Sequence, residues 1–282
     1  MTAKDRVHRS SSLVSDPGPT RCIESGVRRL EGAQAPSSNS RLTPHPSAFS
    51  MLKALRWLVW YPLLLAIVAL VLVQFWFLVH IWYWVDHDPK VTAFMQARLE
   101  KMREKEPHAA IRHEWVPYDR ISVHLKRAII AAEDARFLDH EGFDWEAIQK
   151  AYERNLKKGR VVAGGSTISQ QLAKNLFLSG ERTWWRKAQE AAITFMIETI
   201  MSKRRILEIY LNVIEWGNGV FGANAAARYH FGVSAAALGP EPAARLAAMV
   251  PSPRRYGPGS GTAYLQRRTE VIRGRMSSAQ VP

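Results

Sequence analysis

The sequence predicts a mainly α-helical domain carried on a single N-terminal transmembrane helix. Residues 57–85 contain no Asp, Glu, Lys or Arg, and a run of about 20 apolar residues is long enough to span a bilayer core. Downstream of this run, apolar residues recur at the spacing of amphipathic helices, and no segment shows a convincing strand alternation. Capping residues and glycines mark the ends of several of these helices.

The first 50 residues are rich in Ser, Pro, Arg and Gly, a composition that predicts a disordered tail. A second start follows, because Met51 and the short basic stretch up to Arg56 lead directly into the apolar run. This pattern favours Met51 as the initiator, with a mis-assigned extension before it. A genuine cytoplasmic tail is the alternative. The one cysteine, Cys22, lies in the tail, so the domain has neither a disulfide nor a cysteine-rich metal site.

The apolar run from Trp57 to Val79 is the predicted membrane-spanning part of residues 51–85. Tryptophans and tyrosines at both ends match the aromatic belts of a bilayer. The run is too long and uniform for a buried core helix, and longer than the ~7–15 apolar residues of a signal peptide. Basic residues precede it and Asp86 and Asp88 follow it, so the positive-inside rule predicts a cytoplasmic N-terminus and an external domain.

The formal net charge of +14 divides around the apolar run. Residues before position 57 carry nine Lys/Arg and four Asp/Glu, which leaves +9 for residues 86–282. That segment is long enough for one domain with a substantial core. A basic surface favours an acidic partner such as nucleic acid, anionic lipid or a phosphorylated substrate, and composition alone does not choose among them.

The chain after the membrane span divides into three predicted parts. They are a juxtamembrane helix and linker at 86–117, a domain at 118–270 and a tail at 271–282. The first helix of the domain has apolar residues at i, i+3, i+4 and i+7 from Leu125 to Ala132, and delivers Glu133 and Asp134 at its end.

Capping signals place the later helices. Asp144 is a predicted N-cap, and two lysines followed by Gly159 end the same helix. Thr167 and Gln170 form the Thr-x-x-Gln of a capping box. The remaining predicted helices are Trp184 to about Met201 after Thr183, Ile206–Val213, and an alanine-rich helix after Pro242.

The glycine-rich start of the capping-box helix is a candidate anion site. Glycines that lead into a helix leave backbone N–H groups and the positive end of the helix dipole facing one point. An ordinary well-capped helix is the alternative. Lys174 favours the anion site, with three further cations close behind, and their number suits a diphosphate. These further cations are Arg182, Arg186 and Lys187.

Two carboxylates are the candidate catalytic groups. Glu133 follows an apolar helix, where partial desolvation would raise its pKa toward that of a general base. The alternative for Glu133 is an ion pair with Arg136. Glu190 lies four residues after Arg186, so by itself it fits a salt bridge on a helix surface.

Two other patterns carry less weight. Residues 217–222 satisfy Gly-x-Gly-x-x-Gly, but a dinucleotide site needs a preceding strand, and the preceding residues predict a helix. The glycines are therefore interpreted as a tight interhelical connection. His140 and His230 have no second ligand at metal spacing, which favours structural roles.

Four ordered motifs make the sequence resemble the monofunctional biosynthetic peptidoglycan transglycosylases, which are family-51 peptidoglycan glycosyltransferases. The resemblance covers roughly Tyr118 to Gly257. The motifs are Glu133-Asp134-x-x-Phe137-x-x-His140-x-Gly142-x-Asp144, Gly164 to Gln171 with Ser169 in place of a threonine, Arg186-Lys187-x-x-Glu190, and Ile206 to Asn212.

The resemblance implies a lysozyme-like helical domain that polymerises lipid II into glycan strands, with inversion at the anomeric carbon and release of undecaprenyl diphosphate. Glu133 would be the base, and Glu190 would orient the acceptor or bind the diphosphate. The implied substrate-binding residues are Asp134, Phe137, His140, Ser166, Thr167, Gln170, Gln171, Lys174, Asn175, Arg182, Arg186 and Lys187.

The same resemblance implies partners and a location. The partners are lipid II, the undecaprenyl-diphosphate-linked glycan chain, the bacterial inner membrane and proteins of cell division or wall synthesis, rather than nucleic acid. No cofactor is required, and a divalent cation, Mg²⁺ or Mn²⁺, at Glu190 is an open alternative. A lytic glycan cleaver with Glu133 as the acid and an inactive wall-binding module are the competing functions.

Overall fold

The structure is a computed structural model that describes residues 48–160, 164–179 and 183–282. Ten α-helices dominate these residues, and the predicted mainly α-helical fold is confirmed. The helices are α1 Ala48–Tyr83, α2 Ala93–Arg103, α3 Val123–Glu133, α4 Trp145–Lys158, α5 Ile168–Phe177, α6 Trp184–Ile200, α7 Lys203–Val213, α8 Ala223–Phe231, α9 Pro240–Met249 and α10 Ala263–Arg275.

Helix α1 contains the predicted membrane span and continues past Val79 to Tyr83. Among the described residues, its part from Leu55 to Tyr83 is the one helix long and apolar enough to cross a membrane. Most large side chains of this part are exposed, as expected for a surface that lipid would cover. Its last turns differ: Phe77 and Ile81 are buried, and Phe77 packs edge-to-face on Phe177 of α5.

The stretch interpreted as a linker contributes to the packing of the domain. Met95 of α2 is fully buried, and α2 packs against α5. Arg98 on the same helix donates to Glu215 at 2.8 Å, so a charge of this stretch is paired with the domain. The domain boundaries at residues 118 and 270 stay a prediction.

Three short strands form a small sheet in the order β1-β3-β2. They are β1 Arg112–His113, β2 Glu215–Gly217 and β3 Val220–Phe221. Strands this short show no alternation in the sequence, which is why the pattern contained no strand. The glycine-rich stretch does connect α7 and α8, but as a β-hairpin. Gly222 has φ +82°, and a Cβ there would lie 2.7 Å from the carbonyl oxygen of Asn212.

Two groups of packed helices position the candidate site. Helix α3 packs against α9 and α10, and α5 packs against α6 and α7. The predicted caps at Asp144, Thr167 and Thr183 are confirmed, since each accepts a backbone N–H of the following helix. Helix α7 begins about one turn earlier than predicted, because Ser202 caps it at Lys203.

Candidate active site

Helix α3 presents Glu133 at its last position. Leu125 and Ile129 on the same helix are fully buried, so core packing sets the direction in which the helix delivers this carboxylate. Glu133 lines a cavity of about 210 Å³ between the end of α3, the start of α4 and the loop before α5. The polar and charged side chains around this cavity belong to Glu133, Asp134, Arg136, Asp144, Glu146, Lys150, Ser166 and Thr167.

The two oxygens of Glu133 have different surroundings. Gln171 Nε2 donates to Oε2 at 2.9 Å. Oε1 lies 3.9 Å from Arg268 Nη2, beyond hydrogen-bond distance, and has no hydrogen-bond partner among the described residues. Burial raises the pKa of Glu133, and the Gln171 hydrogen bond and the charges of Arg268 and Lys174 oppose that rise. A largely buried carboxylate, 11% exposed, with one unbonded oxygen is suited to accept a proton.

The alternative ion pair between Glu133 and Arg136 is not formed among the described residues. Arg136 instead pairs with Glu146 at the start of α4 and lies 3.8 Å from Asp144. Glu133 is therefore not paired with this neighbouring cation, and Arg136 instead contributes to one wall of the cavity.

Asp134 joins the loop after α3 to the start of α5. Its side chain is 2% exposed and accepts from His140 Nε2 at 2.9 Å and from the Ile168 N–H at 3.0 Å. The Gly142 N–H donates to His140 Nδ1, which places the ring proton on Nε2, toward Asp134. The expected structural role of His140 thus includes holding this carboxylate.

Internal hydrogen bonds satisfy much of the start of α5. Thr167 and Gln170 form the predicted capping box, and the Thr167 hydroxyl donates to the Gly142 carbonyl at 2.7 Å. With the Ile168 N–H bound to Asp134, an internal carboxylate occupies part of the predicted anion site. Ser166 is exposed at the cavity and is the residue of this turn best placed to meet a ligand.

Several predicted substrate-binding residues lie in the protein interior. Phe137 is fully buried, Gln170 and Asn175 are nearly so, and Asn175 donates to the backbone carbonyl of Gln171 at 2.7 Å. These side chains do not line the cavity. Their packing and hydrogen bonds support the elements that carry Glu133 and Asp134.

Glu190 is held between two cations of its own helix. Its buried carboxylate pairs with Lys187 and lies 3.8 Å from Arg186. The helix salt bridge proposed as the alternative is therefore present. Lys174 lies on α5, half-buried and within electrostatic reach of Glu133, whereas Arg182 lies outside the described residues.

Comparison with known proteins decides the family. The model of the Transglycosylase family matches residues 99–277. A biosynthetic peptidoglycan transglycosylase of Nitrosospira multiformis is 63% identical over 227 residues, which are 80% of this chain and 98% of that protein. Proteins of the same name from Methylobacillus flagellatus and a Janthinobacterium strain are 61% and 58% identical, over 80% and 82% of this chain and 98% of each relative. This chain belongs to the transglycosylase family.

The region matched by the family model also contains a site residue that lies outside the quoted motifs. The quoted motifs end at Asn212 and the resemblance at Gly257, whereas the model extends to residue 277 and includes α10. Arg268 on α10 is the cation nearest to Glu133 Oε1 in the described residues. A single sequence gave no signal for it, because only the packing of α10 on α3 brings the two together.

The surroundings of Glu190 bear on the divalent cation considered for this residue. Its carboxylate already pairs with Lys187 and lies near Arg186, and two positive charges repel a metal ion. The described residues also contain no group of three or more His, Cys, Asp or Glu able to hold one.

Proposed function

We propose that this protein is a peptidoglycan glycosyltransferase that polymerises lipid II into glycan strands. The observation that supports it most is Glu133, a largely buried carboxylate with a raised pKa and one unbonded oxygen, at the edge of a cavity. The relatives at about 60% identity carry the name biosynthetic peptidoglycan transglycosylase, which agrees with this chemistry.

The proposed step is an inverting displacement. The acceptor hydroxyl of lipid II attacks the anomeric carbon of the growing chain, and Glu133 accepts its proton. The new C–O bond forms as the bond to the diphosphate breaks, so undecaprenyl diphosphate leaves with the bonding electrons. An α-linked donor thereby becomes a β-linked strand. The departing diphosphate needs its charge neutralised rather than a proton.

Cations supply that neutralisation in the proposal. Lys174 on α5 is the first choice among the described residues, with Arg186 and Lys187 on α6. Arg182 is proposed for the same role from its position in the sequence. Ser166 contributes a hydroxyl at the cavity edge. Glu190 orients Lys187 and Arg186 through its ion pairs.

One assay tests this function against its alternatives. The purified full chain is supplied with lipid II, and the products are separated by size. Polymer supports the proposal. Cleavage of preformed glycan strands without polymer would identify a lytic enzyme, which the raised pKa of Glu133 also suits as a general acid. No product of either kind would indicate a binding module.

Replacing Lys174 with alanine should lower turnover by about 10- to 150-fold, because a charge-assisted contact is worth ~1.5–3 kcal/mol. The melting temperature should change little, since Lys174 is half-buried and does not belong to the hydrophobic core. Exposed Lys158 is the matched control, and its alanine variant should turn over normally. Equal losses of stability and turnover in Lys174→Ala would indicate a structural salt bridge.

The proposed location is the bacterial inner membrane, with one pass, a cytoplasmic N-terminus and an external catalytic domain. Lys53 and Arg56 before the apolar run and Asp86 and Asp88 after it support this orientation. A reporter that works only outside the cytoplasm, fused after Pro282, should be active. If a reporter that works only in the cytoplasm is active at the same site, the proposed orientation is wrong, and so is the proposed side of the membrane for the substrate.

We also propose that the reaction needs no resident cofactor, because leaving-group charge is met by side chains. Polymerisation should continue in excess chelator; its complete loss there, restored by Mg²⁺ or Mn²⁺, would contradict this. Proteins of cell division or wall synthesis are proposed partners on the basis of the resemblance alone.

A further inference from the structure

Tyr210 of α7 contacts the support of Glu133 rather than Glu133 itself. Its side chain is fully buried, and its hydroxyl donates to Gln171 Oε1 at 2.9 Å. On the other side of the same amide, Gln171 Nε2 donates to Glu133 Oε2 at 2.9 Å. The three side chains form a directed hydrogen-bond chain that runs from α7 through α5 to the end of α3.

The direction of this chain depends on the tyrosine proton. A glutamine amide has a donor end and an acceptor end, and only the donor end supports an ionised carboxylate. Burial raises the pKa of Tyr210 well above its ordinary value, and the negative charges of Glu133 and Asp134 add to the rise. The phenol therefore stays protonated. Because Gln171 Oε1 is the one acceptor of its proton in the hydrogen bonds of the described residues, the phenol holds the acceptor end of the amide toward itself.

We propose that Tyr210 is a positioning residue that locks the Gln171 amide with its NH₂ group toward Glu133, and so keeps this carboxylate ready as the base. This inference rests on the proposed function of Glu133. With the hydroxyl removed, the amide has no fixed partner at Oε1 and its NH₂ group loses its orientation. The hydrogen bond from Gln171 Nε2 to the Glu133 carboxylate, the one that this carboxylate receives among the described residues, is then weaker.

The other charged groups around Glu133 remain in place when Tyr210 is changed. They are Arg268 from α10, Lys174 from α5 and the neighbouring Asp134. None of them accepts from or donates to the Tyr210 hydroxyl in the hydrogen bonds of the described residues, so removal of that hydroxyl isolates the effect of the amide. A weaker hydrogen bond to the carboxylate raises the pKa of Glu133 further, because this bond favours the charged form.

The test is Tyr210→Phe in the full chain in detergent, with lipid II as substrate. At neutral pH, kcat should fall about fivefold to tenfold, the effect of one weakened hydrogen bond, while KM stays within about twofold. The acid limb of the pH–rate profile should move to higher pH, because fewer Glu133 side chains are ionised at a given pH. The loss should therefore shrink as the pH is raised.

Tyr118→Phe is the matched control. Tyr118 is also buried, and its hydroxyl donates to a main-chain carboxylate oxygen of Pro282 at 2.7 Å, away from Gln171. This variant loses one buried hydroxyl hydrogen bond and should keep the wild-type kcat and pH profile. A shifted profile in Tyr118→Phe as well would assign the effect to general loosening and overturn the proposal.

A double variant tests whether Tyr210 acts on Glu133 through Gln171. In a Gln171→Leu background, adding Tyr210→Phe should change kcat by less than about twofold, because the intermediary is already absent. Independent, multiplying losses would overturn the proposal, as would an unchanged pH profile in Tyr210→Phe alone.

A titration separates this inference from the proposed function. The carboxyl of Glu133, followed by isotope-edited infrared spectroscopy of the full chain, should titrate at higher pH in Tyr210→Phe than in the wild type. If the wild type fails to polymerise lipid II, the proposed function fails while this titration still decides the role of Tyr210. An identical titration in both proteins would refute that role whatever the activity.

Discussion

Glu133→Gln should reduce polymerisation of lipid II by at least a hundredfold, within the ~10²–10⁴-fold range of general-base catalysis. The amide keeps the size of the side chain but accepts no proton from the acceptor hydroxyl. Binding of lipid II should largely survive, since the cations proposed for the diphosphate remain. Raising the pH should not restore activity, because the amide does not titrate. Product formation and substrate binding are measured separately on the same preparation.

Glu190→Gln is the informative comparison. Glu190 pairs with Lys187 and lies near Arg186 without lining the cavity around Glu133, so its loss should disturb the position of cations rather than remove the base. The decrease should be smaller than for Glu133→Gln. The assignment of the base is reversed if Glu190→Gln abolishes polymerisation while Glu133→Gln leaves it near normal.

Glu133→Gln should also change how the stability of the folded protein depends on pH. Because the folded-state pKa of Glu133 lies above its ordinary value of 4.5, the folded protein binds this proton more tightly than the unfolded chain. Wild-type stability therefore falls as the pH rises from the ordinary value through the raised one. Glu133→Gln lacks this fall, so its melting temperature relative to wild type should increase across that interval.

The helical frame of the site could be predicted from the sequence because its signals are local. Asp144, Thr167 and Thr183 each cap the helix that follows them, and a capping bond joins residues only two or three positions apart. The final turn of α3 and the raised pKa of Glu133 followed from an apolar helix face. The four motifs identified the family for the same reason.

The contacts of the site could not be predicted because they join distant parts of the chain. Arg268 approaches Glu133 from α10, and Tyr210 reaches Gln171 from α7. Nothing in the residues next to either one signals such a partner. The Ile168 N–H likewise looked available for a phosphate, and only the fold reveals that Asp134 occupies it. Tertiary packing, not local pattern, decides which polar groups remain for substrate.

Asp134→Ala should be the most destabilising change at the site. The variant loses an acceptor for both His140 Nε2 and the Ile168 N–H, and it leaves those donors buried without a partner. Hydrogen bonds to a charged group are worth ~1.5–3 kcal/mol each, so we expect a loss of roughly 3 kcal/mol or more. For a domain of about 200 residues this corresponds to a melting temperature lower by about 6–12 °C.

Two further variants show whether Asp134 acts through the fold. Asp139, exposed in the same loop, is the control, and Asp139→Ala should melt close to wild type. Asp134→Asn should lie between wild type and Asp134→Ala. Its amide oxygen, in the place of Oδ2, can still accept from the Ile168 N–H and stays within 3.1 Å of His140 Nε2, but its NH₂ group, in the place of Oδ1, then faces the Nε2 proton. The imidazole cannot relieve this clash by moving its proton to Nδ1, because Nδ1 accepts from the Gly142 N–H. An Asp134→Ala protein that melts like wild type but makes no polymer would instead place this carboxylate in direct contact with substrate.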